Sequence, residues 1–148
     1  MTNVIDFYDR HPISEAQVLA AVRRRRGPLA EAPLTAEELF DFDQDHYGGV
    51  GAVDVLARRA GIGARSQVLD VCAGLAGPAR FLASRRGCQV VGLELHAGRA
   101  ASAARLTRDV GLARDVVVVR GDAVALPFRP GSFDACVSQE GQIGRAHV

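Results

Sequence analysis

The sequence predicts an α/β fold built on a parallel sheet. Two observations carry the prediction. From residue 67 onward, short apolar runs alternate with helical patterns, as expected for strands joined by crossover helices. The first run, Val68-Leu69-Asp70-Val71, passes through Cys72-Ala73-Gly74-Leu75-Ala76-Gly77 directly into a helical stretch, giving a strand, a tight turn and a helix in succession. Apolar runs of this kind suit strands buried on both faces, the normal state of a parallel sheet.

Ahead of the sheet the chain reads as helices. Residues 1 to about 12 are read as a loosely ordered lead ending at Pro12. Ser14-x-x-Gln17 is a capping box and opens a helix through about residue 25, with Val18, Leu19 and Val22 on one face. The helix ends in Arg23-Arg24-Arg25-Arg26, where cations suit the macrodipole, and Gly27-Pro28 stops it. Thr35-x-x-Glu38 is a second capping box, for a short helix through about residue 42. The polar loop Asp43-Gln44-Asp45-His46-Tyr47-Gly48-Gly49 follows, then a third helix over about 50–60.

The alternation then gives strand 67–71 and a helix over about 76–86, with Ala79, Leu82 and Ala83 at helical spacing and Pro78 tolerated in its first turn. Strand 89–93 comes next, then a helix over about 98–110 with Ala100, Ala104 and Leu106 inside, strand 116–119, a loop over 121–131 and strand 133–138. The domain division is 1–64 for the N-terminal helical segment and 65–142 for the sheet domain. Residues 143–148, Ile143-Gly144-Arg145-Ala146-His147-Val148, look like the translation of a sequencing adapter and are set apart as a non-native tail. On that reading the natural chain continues beyond about Gly141 and this chain is a C-terminally truncated fragment.

Composition narrows the function. The chain has 148 residues, 48% hydrophobic and 24% charged, enough for one domain with its own core. Its formal charge is +1, and without the last six residues the 17 acidic residues meet an equal number of arginines. That balance argues against nucleic acid as a partner. No apolar run is long enough to cross a bilayer, no secretory signal is visible, and the pattern of cysteines makes a reducing cytoplasm, away from the membrane, the expected setting. Cys72, Cys88 and Cys136 have no metal-ligand spacing, and their odd number suggests no disulfide framework. They read as small hydrophobes in or beside strands, and no metal is expected.

In an open α/β sheet a ligand lies beyond the carboxyl ends of the strands, so the residues there carry the chemistry. The first strand gives Asp70 and the turn positions Cys72, Gly74 and Ala76. Glu94 ends the second strand, where a carboxylate can accept both hydroxyls of a ribose. A side chain there would face a wet crevice, so its removal is expected to leave stability nearly unchanged. The third strand leads to Gly121-Asp122-Ala123-Val124-Ala125-Leu126-Pro127-Phe128, and the fourth, within Ser132-Phe133-Asp134-Ala135-Cys136-Val137-Ser138-Gln139-Glu140, brings Gln139 and Glu140 to the mouth of the crevice.

These segments, in this order, resemble the class I S-adenosylmethionine-dependent methyltransferases of the small-molecule, methyltransferase type 11-like kind, over about residues 45–142. Motif I of that family is an acidic residue followed by G-x-G-x-G; here Asp70 is the acid, and Cys72, Gly74 and Ala76 hold the glycine positions, two of them by other small residues that penalise positive φ. The resemblance implies a Rossmann-like parallel sheet, here strands 1–4 of seven in the order 3-2-1-4, with the fourth strand left as an edge. It implies S-adenosylmethionine as cofactor. Glu94 would take the ribose and Leu95 would flank the adenine. The Asp122 side chain and the Ala123 backbone N–H would meet the adenine ring, and Gln139 would lie near the crevice mouth. Asp45-His46-Tyr47-Gly48-Gly49 and Gly77-Pro78-Ala79-Arg80 are similar to segments of small-molecule methyltransferases, with Tyr47 either over the methionine part of the cofactor or in a packing role.

The implied activity is methyl transfer to a small-molecule nucleophile at N, O or C, with the fragment inactive by itself. His46 and Glu140 are the candidate general bases, with the catalytic residue left open, as are the acceptor and the oligomeric state. Cys72-x-Gly74-x-x-Gly77 also overlaps the dinucleotide fingerprint G-x-G-x-x-G, which makes a nicotinamide-dependent oxidoreductase the alternative, and a non-catalytic binding remnant a further one.

Overall fold

The computed structural model describes residues 13–28 and 31–141. The segment 1–12 and the tail 143–148 therefore lie outside the described residues. Among the described residues three helices come first, α1 (Glu15–Arg26), α2 (Ala36–Leu39) and α3 (Gly49–Arg59). The sheet portion follows as β1 (Gln67–Val71), α4 (Gly77–Arg86), β2 (Gln89–Glu94), α5 (Ala97–Asp109), β3 (Val116–Arg120) and β4 (Ala135–Val137). The strands form one parallel sheet in the order β3-β2-β1-β4, the order expected from the sequence.

Local chemistry explains most boundaries. Ser14 Oγ accepts the Gln17 backbone N–H, and Gln17 Oε1 accepts the Ser14 backbone N–H, so the capping box closes in both directions. Gly27 ends α1 at φ 76°, a conformation that a side chain disfavours. At α2 the returning arm forms: Glu38 Oε2 accepts from Thr35 N at 2.9 Å. The helix stops at Leu39 rather than near residue 42, with turns from Phe42 N and Asp43 N back to the Leu39 carbonyl. Of the arginine run, Arg23 and Arg24 are exposed, whereas Arg25 pairs with Asp41 and Arg26 grips Glu38 and the carbonyls of Ala32 and Pro33. The run is thus partly a solvated helix end and partly the tie between α1 and the α2 region.

Among the described residues two apolar clusters hold the layers together. The larger joins Phe40, Val53 and Ala57 from the N-terminal helices to Val68, Phe81, Leu82, Val90, Ala103 and Val116 of the sheet and its helices. Phe40 meets Phe81 edge-on, with ring centroids 5.2 Å apart. The smaller places Val18, Val22 and Leu39 against Leu75 and Leu106. On α5 the buried face is Ala100, Ala103, Leu106 and Thr107, while Ala104 is exposed, because α1 and the sheet approach the helix from one side.

The fourth strand is shorter than the six residues expected. It pairs with β1 only from Ala135 to Val137, and its start is fixed by Asp134 N donating to the Gln67 carbonyl and Gln67 N donating to Asp134 Oδ2, both at 2.8 Å. Among the described residues β4 has one strand neighbour, so Cys136 is exposed instead of buried; Cys88 is buried and Cys72 half-buried.

Candidate cofactor site at the strand ends

All four strands run the same way, so the turn after β1, Leu95, Asp122 and Gln139 come to one end of the sheet. The turn is built from left-handed residues. Cys72, Gly74 and Ala76 have φ of 62°, 57° and 59°. The first and last are non-glycine residues in a region that costs them on the order of 1–2 kcal/mol each. Tertiary contacts hold them there. Ala73 N donates to the Leu93 carbonyl across the sheet, while the Ala76 carbonyl accepts the Arg80 N–H locally, as the first turn of α4. Gly77 opens α4 against the N-terminal segment, and a Cβ there would stand 2.2 Å from the Asp43 carbonyl oxygen.

Glu94 organises the joint between β1 and β2. Its Oε2 accepts the Gly74 N–H and its Oε1 the His96 N–H, each at 2.8 Å. It is 7% exposed. This corrects the expectation of a wet, energetically idle side chain: the carboxylate satisfies two backbone donors, and each oxygen keeps a lone pair for a ligand. The Asp70 carboxyl is 3% exposed, and its Oδ2 has no hydrogen-bond partner among the described residues. Burial first, and the Glu94 charge second, push it up to about 7. A buried acceptor left open beside a strained turn is the kind of exception that marks a ligand site.

The other side of the crevice is looser. Leu95 is on the surface. Asp122 Oδ1 accepts the Val124 N–H, and the Asp122 carbonyl the Ala125 N–H, so this residue shapes its own turn, with Ala123 half-buried inside it. Val124 is 75% exposed. Ser138 Oγ donates to the Val71 carbonyl and fastens the end of β4 to β1. Beyond it Gln139 Oε1 is buried without a partner among the described residues. Glu140, at φ 59°, accepts the Tyr47 N–H at 2.7 Å, which lays residues 43–47 across the strand ends. The Tyr47 ring is 88% exposed, which removes a packing role for it.

Three residues escaped the sequence reading. Arg80 and Asp43 are both 0% exposed and pair at 2.9 Å, with Arg80 also donating to Thr107 Oγ1 and the Ala103 carbonyl. Burial pushes the Asp43 carboxyl up, while the Arg80 guanidinium, which stays charged, opposes the push. Arg99, on α5, pairs with Asp45 and donates to the Ile13 carbonyl. A signal existed for Arg80, a cation near a helix N-terminus between Ala79 and Phe81, where the dipole disfavours it without an anion. No cluster of His, Cys, Asp and Glu that could hold a metal ion occurs among the described residues, and none of their helices is long and apolar enough to cross a membrane.

Comparison with known proteins agrees with this geometry. A family profile described as a methyltransferase domain matches residues 68–146. The sterol 24-C-methyltransferase of Eremothecium gossypii is 40% identical over 79 residues, 53% of this chain and 21% of that protein. A putative sarcosine dimethylglycine methyltransferase structure from Galdieria sulphuraria superposes with a TM-score of 0.57 at 25% identity, over 60% of this chain and 34% of that one. The geranyl diphosphate C-methyltransferase of Streptomyces coelicolor shares the fold at 20% identity, with a TM-score of 0.57 over 87% of this chain and 40% of that one. The matched stretch thus spans about a fifth of the length of its curated sterol relative. The profile covers the same glycine turn that suggested a dinucleotide enzyme, and nothing favours that alternative. The chain belongs to the class I S-adenosylmethionine-dependent methyltransferases.

Proposed function

We propose that the protein transfers methyl groups from S-adenosylmethionine to a small-molecule nucleophile at N, O or C. The observation that carries this reading is the Glu94 carboxylate, fixed by the Gly74 and His96 backbone N–H groups at the carboxyl end of β2 with acceptor capacity to spare. The residues present suit the cofactor chemically. Glu94 would accept the ribose hydroxyls, and the turn of Cys72, Gly74 and Ala76 would let the cofactor approach the backbone. The open Asp70 Oδ2 belongs to β1, the strand that leads into that turn. Leu95 would flank the adenine, with Asp122 and the Ala123 N–H on its polar edge and Gln139 at the opposite end of the crevice. When bound, S-adenosylmethionine supplies a methyl group already activated on a sulfonium. The chain then has to align two reactants and exclude water, an entropic task rather than a bond-polarising one.

The small-molecule acceptor follows the relatives, whose names specify sterols, sarcosine and geranyl diphosphate. His46 and Glu140 stand near the crevice mouth, half-buried and exposed respectively, as candidate bases for an acceptor that must lose a proton. A cytoplasmic setting fits the three free cysteines. Calorimetric titration of the protein with S-adenosylmethionine, S-adenosylhomocysteine and NAD in parallel tests the reading. Saturable binding of the first two and none of NAD is expected; the reverse pattern would sink it.

A further inference from the structure

The helix that follows β2 is capped by a side chain that can take up a proton. α5 opens at His96, whose backbone is extended at φ −78° and ψ 117°. The Arg99 backbone N–H donates to His96 Nδ1 at 3.1 Å, a bond that Ser, Asp or Asn more often supplies at the start of a helix. A backbone N–H can only donate, so Nδ1 holds a lone pair and the neutral ring carries its hydrogen on Nε2. Gly98 leaves room for the ring, since a Cβ there would stand 3.0 Å from His96 Cε1. The backbone N–H of His96 itself donates to Glu94 Oε1 at 2.8 Å. One residue thus closes the first turn of α5 with its ring and holds the carboxylate that ends β2 with its backbone.

We propose that His96 is a positioning residue that makes the hold of Glu94 on a ribose sensitive to acid: the neutral imidazole caps α5 and leaves Glu94 its spare lone pairs, and the protonated ring does neither. For its ligand the proposal rests on the methyltransferase reading, while the cap is a property of the chain itself. Protonation places an N–H on Nδ1, facing the Arg99 N–H, and sets a cation at the positive end of the α5 dipole. A ring turned away from Arg99 N finds the Glu94 carboxylate two residues back and takes up acceptor capacity that a ribose hydroxyl would use. The other charged groups of the described residues around this joint are engaged elsewhere. Arg99 pairs with Asp45, Glu15 of α1 with Arg105, and Arg120 Nε of β3 lies 3.4 Å from the Leu95 carbonyl. Asp122 accepts the Val124 N–H. Asp70 of β1, pushed up to about 7 by burial and by the Glu94 charge, titrates in its own right.

Nitrogen-15 NMR of the ligand-free protein at about pH 8 should show His96 Nδ1 bare and the hydrogen on Nε2. An Nδ1–H tautomer there overturns the cap, whatever the protein binds. Calorimetry with S-adenosylhomocysteine then runs between about pH 8 and about pH 5.5, a range that brackets the titration of imidazole. Wild-type affinity should fall about 10-fold or more on acidification. His96→Ala, which has no cap to lose, should be weak across the whole range. His96→Asn, whose side chain caps without titrating, should restore the affinity and keep it in acid. Asp70 titrates in wild type and His96→Asn alike, so the difference between their profiles belongs to His96. Parallel profiles for these two proteins would overturn the proposal, as would wild-type affinity of His96→Ala at about pH 8. Failure of the wild type to bind S-adenosylhomocysteine at any pH would instead refute the methyltransferase reading, with the NMR result still standing on the cap.

Discussion

The carboxyl ends of β1 and β2 are closed, while those of β3 and β4 are open. At the closed half the chain folds back on itself: Glu94 holds the Gly74 amide, Asp70 is buried beneath, and Arg99 with Asp45 covers the turn. At the open half Asp122 bonds within its own turn, Val124 and Leu126 face solvent, and β4 is three residues long. The difference teaches that packing from several sides can hold side chains in a left-handed backbone, whereas the exposed Glu140, also at φ 59°, accepts the Tyr47 N–H at the end of β4. Cys72 and Ala76 keep left-handed backbones because the loop is pinned from β2, from α4 and from the N-terminal segment. The open half has its ties at the end of β4, where Ser138 Oγ donates to the Val71 carbonyl and the Tyr47 N–H to Glu140.

The largest effect should come from breaking the tie that brings the N-terminal segment to the closed half. Asp43→Ala leaves the Arg80 guanidinium buried without its anion and should cost about 3–5 kcal/mol, read by urea unfolding. A loss under 1 kcal/mol would mean that the segment is not anchored through this pair.

The next test uses pH. An acid raised to about 7 binds its proton more tightly folded than unfolded, where its value is about 3.9. Its contribution to stability is therefore intact below about pH 4, falls as the pH rises, and is lost above about pH 7. Wild type should lose on the order of 2–4 kcal/mol to this group between those limits. Asp70→Asn should flatten that part of the profile and be the more stable protein at pH 8. Parallel profiles for the two proteins would show that Asp70 is not the titrating group.

Glu94→Ala comes third in stability, at about 1–3 kcal/mol, because two backbone donors lose their acceptor. Cofactor affinity should drop roughly 10- to 150-fold in the same variant. Unfolding and calorimetry on one preparation separate the two effects. A binding loss with no change in stability would return the residue to the wet crevice first expected for it. The smallest effect should be Cys72→Gly. Relief of the left-handed strain is partly offset by the freer unfolded chain, leaving a gain below about 1 kcal/mol in the unfolding free energy. A clear destabilisation would show that the side chain, packed against the backbone of Gly141, matters more than the strain.

The order of elements, the capping boxes, the strand-turn-helix unit and the strand-end positions of Asp70, Glu94, Asp122 and Gln139 were all legible in the sequence. Each depends on periodicity or on neighbours a few residues apart, which act through local sterics and backbone hydrogen bonding. The three-dimensional fold decided the rest. It set the left-handed backbone at Cys72 and Ala76, which local preference opposes. It buried Glu94 and shortened β4. It also brought Arg80 to Asp43 across 37 residues and Gln139 to His46 across 93. Such pairings have no local signature, because whether a charge is satisfied or an amide oriented depends on which distant segment packing has placed beside it.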